Sequence, residues 1–160
     1  ENTLKARGVH MLTGTATALA VVFLHSVVVT YFIGTSRWCK EVTETYGLDP
    51  VSLARSTRLK RQTFPWCVVG MLTVVGVGAL GAASDPGTGR EGTAAMADYH
   101  FVASLLGLAL VGWTYFRAWT NILENQQVIE QIVAQVREIR QQRGLETEPP
   151  ASTESLSAAR

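Results

Sequence analysis

Asp98–Arg143 reads DYHFVASLLGLALVGWTYFRAWTNILENQQVIEQIVAQVREIRQQR, and its interpretation decides the fold. From Tyr99 to Trp119 the stretch is a nearly unbroken apolar run. At about 1.5 Å per residue such a run covers a hydrocarbon core of about 30 Å. Beyond Trp119 no proline or glycine intervenes, and apolar residues return at helical spacing. Ile122, Ile129, Ile132, Val136 and Ile139 alternate by threes and fours once Asn125 is counted as the polar member, which is an a/d seam. The segment is expected to be one helix that crosses a membrane and projects into water, with Asp98 as its N-cap and Gly144 as its C-terminal cap. Pro149-Pro150 stops any continuation, and residues 144–160 are expected to be a disordered tail.

The rest of the chain has the same character. Of 160 residues, 47% are hydrophobic and 17% charged, and the apolar ones lie in three blocks, as in a membrane protein. Residues 1–8 are a polar tail. Val9–Ile33 carries no formal charge, is too long for the apolar core of a signal peptide and lacks a small-residue cleavage site, so a first span is expected rather than a cleaved leader. Gly14 and Ala18 lie four apart there, a spacing that lets helices approach closely in lipid. Trp38, Val42 and Tyr46 continue a stripe, so this helix is drawn from residue 9 to 46, with Gly47 as its cap. Residues 47–63 are read as a basic loop holding a short helix opened by Asp49-Pro50. Residues 64–83 form the second span, 84–97 an outer loop, and 98–143 the third span with its extension. The fold class is therefore an all-α integral membrane protein with three transmembrane helices.

Charge sets the expected orientation. The connection between spans one and two carries Arg37, Lys40, Arg55, Arg58, Lys60 and Arg61, whereas the next connection carries Arg90 alone. Basic short loops stay in the cytoplasm, which places the N-terminus outside and the C-terminal extension inside, with Trp38, Trp66 and Trp119 at the inner interface. The run from Arg55 to Arg61 serves as this topology signal or as a reader of anionic lipid headgroups. A net charge of +1 excludes nucleic acid, which needs clustered, unopposed cations. Cys39 and Cys67 make neither a metal spacing nor a disulfide framework, and are expected as free thiols on the reducing side.

Three histidines carry what chemistry there is. His10 and His100 each lie roughly 15–17 Å from the middle of their spans, towards the outer face. On parallel helices they are level, and a level pair can clamp a b-type haem through one axial nitrogen each. Met11 and Met96 near the same depth make copper the second candidate; a purely interfacial role in contact with water or headgroups is the bland alternative. His25, about 6 Å from mid-membrane, needs a polar partner. Thr114 and Tyr115 fall at its depth, for an interhelical hydrogen bond, with quinone or proton handling as the functional alternative.

Gly87-Thr88-Gly89-Arg90-Glu91-Gly92 matches the dinucleotide fingerprint in letters only, since no strand precedes it. No hydrolytic constellation is present. The expectation is an accessory or anchoring subunit of a larger electron-transfer complex in a bacterial plasma (inner) membrane, ligating a b-type haem and without catalytic activity of its own. Its partners are then lipid and other membrane subunits or further copies of itself, met through the seam Ile122, Ile129, Ile132, Val136 and Ile139, unless that seam packs on the extension of the first helix, which emerges on the same side. The alternative is a self-assembling channel, transporter or scaffold organised by that seam.

Overall fold

The computed structural model describes residues 2–145. Three helices make up the structure: α1 (Asn2–Tyr46), α2 (Val51–Ala83) and α3 (Thr93–Gln142), with a single 3₁₀ turn at Pro86–Thr88. Among the described residues there is no strand, and all three helices are long and apolar enough to cross a membrane. Connectivity makes α1 and α3 run alike and α2 return between them. Helix α2 packs extensively on both neighbours, while α1 and α3 touch each other less.

The helices are longer than the apolar runs that mark them. Residues 2–8, expected as a polar tail, already belong to α1. Between α1 and α2 lies a turn of four residues, Gly47 to Pro50, in place of the expected basic loop. Gly47 takes φ 66° and Leu48 N–H reaches back to the Thr43 carbonyl at 3.0 Å, the six-to-one bond of a Schellman cap. The Asp49 carboxylate then accepts from Val51 N–H at 2.9 Å, and α2 runs on through Arg55–Arg61 and through Pro65. Leu, Ala, Arg, Lys and Gln in this stretch favour helix, and the proline removes one backbone bond without ending it. At the other turn Gly89 and Gly92 take φ 67° and 79°, so α3 starts at Thr93 and Asp98 sits inside it instead of capping it. Of the expected disordered tail, 146–160 lies outside the described residues.

Packing in the apolar part is the reverse of a soluble protein's. Buried positions on α3 are Gly107, Val111, Thr114, Ala118, Asn121, Asn125, Val128 and Ile132, alternating by fours and threes as in left-handed helix packing. Facing them are Val21, His25, Phe32, Ser36, Cys39 and Thr43 of α1 and Ser56, Leu59, Thr63, Cys67 and Gly70 of α2. Bulky side chains such as Leu19, Phe23, Leu72, Phe101, Leu106, Leu108 and Phe116 point outward. No more than 17% of the most apolar stretch of any helix is buried. Small and polar groups inside, large apolar ones outside, is the pattern that lipid selects.

At the end of the bundle that holds the α1–α2 turn the pattern inverts. Cys39, Val128 and Ile132 form a buried cluster, with Val42, Leu48, Leu53, Ile129 and Val136 packed on it. The isoleucine–valine seam thus lies in part against the chain's own helices. The buried stripe of α3 is turned by one residue from that seam, with Asn121 and Val128 in the places given to Ile122 and Ile129. Ile132 is fully buried, Ile129 and Val136 lie against it, and Ile122 and Ile139 are half-buried flanks. The seam faces the chain's own α1 and α2 because apolar area at this end is covered within the bundle.

Candidate functional site

At the opposite end, His10 of α1 and His100 of α3 face each other with ring centres 6.2 Å apart and planes at 82°. Two imidazoles bound to one metal through nitrogens at about 2.0–2.1 Å would hold their ring centres at a comparable distance, roughly 6 Å. A cavity of ≈ 360 Å³ lies on the deeper side of the pair, reaching Val21, Val77 and Val111. Another of ≈ 380 Å³ lies on the outer side, reaching Arg7, Met11 and Asp85. His10, Gly14, Gly78 and His100 line both.

Glycine makes the room. A Cβ at Gly81 would stand 3.1 Å from Cε1 of His100, so the imidazole lies directly on the α2 backbone. Nδ1 of His100 is buried with no hydrogen-bond partner among the described residues. That is a costly state for a polar nitrogen, and a bound ligand would relieve it. At the mouth Arg7 pairs with Asp85 at 2.6 Å and rests against Gly87, while Asp85 also accepts from Gly87 N–H at 2.9 Å. Met11 lines the outer cavity, but Met96 lines neither, which leaves copper one sulfur short of the set first considered. Among the described residues no group of three or more His, Cys, Asp or Glu gathers to hold a metal ion.

Below the deeper cavity sits His25, 0% exposed. Its Nδ1 is 2.8 Å from the Val21 carbonyl and its Nε2 2.9 Å from Oγ1 of Thr114. A carbonyl only accepts, so Nδ1 carries a proton. Thr114 Oγ1 also lies 2.8 Å from the Val111 carbonyl. The Thr114 hydroxyl, with one proton to give, thus lies within reach of both Nε2 and the Val111 carbonyl. Tyr115 lies alongside with ring centres 4.6 Å apart and a tilt of 31°, and its hydroxyl donates to Val21 at a long 3.5 Å. Gly70 closes the third side, where a Cβ would stand 2.5 Å from Nε2.

Two further polar layers escaped the sequence analysis. Asn121 donates to Thr63 at 2.8 Å. Asn125, 0% exposed, accepts from Ser56 of α2 at 2.9 Å and donates to Tyr31 and Thr35 of α1 at 3.1 Å each. The available signal was phase: Thr114, Ala118, Asn121 and Asn125 share one helical face, and asparagines inside an apolar face seek each other's helices. Nearby, burial pushes the Cys39 thiol up, with a hydrogen bond to Ser56 opposing.

No protein-family model, no curated protein and no solved structure matches this chain.

Proposed function

We propose that the protein is a multi-pass accessory subunit of a bacterial plasma-membrane electron-transfer complex, with a b-type haem held between His10 and His100. The observation that carries this reading is the histidine pair itself, facing across 6.2 Å with a cavity on either side. Haem in that place supplies one-electron transfer. His10 and His100 would each offer it a ring nitrogen, Gly81 forms the floor that sets the His100 ring, and the Arg7–Asp85 pair closes the mouth. The basic end lies in the cytoplasm, as the positive-inside rule directs, and the outward apolar faces of the spans are open to lipid and to neighbouring subunits.

The test is spectroscopic. Protein purified in mild detergent from haem-replete membranes should show a Soret band and reduced b-type peaks, and His10→Ala or His100→Ala should abolish them. A colourless preparation overturns the haem assignment. Co-purification with unlike membrane subunits supports the subunit reading; a closed homo-oligomer that persists alone overturns it in favour of a self-assembling membrane protein.

A further inference from the structure

The four cations of the run Arg55–Arg61 are not equivalent in the folded chain. Arg55 and Arg58 both reach Glu124 of α3, at 3.0 and 3.5 Å, so one of their two charges is answered within the bundle. Lys60 and Arg61 have no carboxylate partner among the described residues. Together with Phe64 and Pro65 of α2 and Ile33 of α1 they line a groove of ≈ 330 Å³ on the outside of the bundle.

Charge above and an apolar wall below describe the outline of one lipid. We propose that this groove is a binding site for an anionic phospholipid such as phosphatidylglycerol. The phosphodiester lies against Lys60 and Arg61, and an acyl chain follows Ile33 and Phe64. Both hydrophobic side chains are about half exposed, 53% and 46%, and an aqueous phosphate ion would leave that wall uncovered. The site is independent of the haem reading, because it lies at the other end of the bundle and uses none of the same residues.

The experiment uses the full chain with Trp66 as its single tryptophan, Trp38, Trp113 and Trp119 being replaced by phenylalanine. Trp66 adjoins Pro65 and is 37% exposed. In phosphatidylcholine vesicles carrying a minor fraction of brominated phosphatidylglycerol, or the same fraction of brominated phosphatidylcholine, quenching of Trp66 gives the relative association constant. It should favour phosphatidylglycerol roughly five- to thirtyfold, the preference that one or two interfacial charges confer. K60Q/R61Q should bring the ratio near one, whereas R55Q/R58Q should leave it nearly unchanged. Equal quenching by both lipids in the parent chain overturns the site. So does a ratio lost in R55Q/R58Q but kept in K60Q/R61Q. Inorganic phosphate that abolishes the preference, where chloride at equal ionic strength does not, assigns the cations to a free anion and overturns the lipid.

Discussion

Nε2 of His25 and Oγ1 of Thr114 lie 2.9 Å apart, in contact across α1 and α3 with no exposed surface on the histidine. This pair ties together the two helices that otherwise touch least. Its strength is measurable by a double-mutant cycle with His25→Phe and Thr114→Val. Interhelical side-chain bonds of this kind couple by roughly 0.6–1.7 kcal/mol, and that coupling is expected in SDS-titration unfolding of the reconstituted protein. Strict additivity of the two single variants would contradict the bond.

Gly70 is the support beneath that pair. Gly70→Ala puts a methyl 2.5 Å from Nε2 and 3.0 Å from Thr114 Oγ1, and neither group can retreat from its boxed position. The expected loss is about 1–3 kcal/mol. Gly76→Ala meets nothing within 4 Å and should be neutral or slightly stabilising by comparison. Thermal midpoints of the two variants in one detergent decide the matter.

The two asparagine layers differ in what their removal strands. In Asn125→Ala the Ser56 hydroxyl, fully buried, loses its oxygen acceptor and is left with the Cys39 thiol, and both links to α1 go as well. In Asn121→Ala the Thr63 hydroxyl keeps its own bond to the Leu59 carbonyl. Asn125→Ala should therefore cost roughly 1–3 kcal/mol and Asn121→Ala clearly less. The reverse order in chemical unfolding would refute the assignment of Asn125 as the three-helix junction.

Cys39 supplies a pH test. Burial holds the neutral thiol in the folded state, so as pH rises the unfolded thiol ionises first; stability is unaffected below the ordinary thiol value near 9.0 and falls above it. The thiolate is the nucleophile. In a Cys67→Ser background near pH 9 alkylation of Cys39 should run at least about tenfold slower in the folded protein than after SDS unfolding. Equal rates would show the thiol to be open.

The long apolar runs made three helices legible in the sequence, because a stretch without charge over about 20 residues has few other uses. Depth along each helix placed His25 level with Thr114 and Tyr115, and His10 level with His100. Rotation was less legible. The seam of α3 shares Asn125 and Ile132 with the buried stripe and departs from it at Ile122 and Ile129, beside buried Asn121 and Val128, because isoleucine and valine carry the hydrophobic signal and Thr114, Ala118, Asn121 and Asn125 carry little. Where lipid is the solvent, hydrophobicity marks the outside, and the inside must be found from small and polar residues in phase. The helical course of residues 51–63 was masked by its charges and by Pro65. Contacts such as Gly70 on His25 had no local signature, since they depend on which helix comes opposite.

Helices α1 and α3 contain no proline and no glycine of positive φ between their ends, while α2 carries Pro65 near its middle. Two of the three rods are thus stiff shafts and only one is jointed. A bend within a span is therefore expected at Pro65 alone, while the His25–Thr114 and Asn125 layers hold α1 and α3 in register.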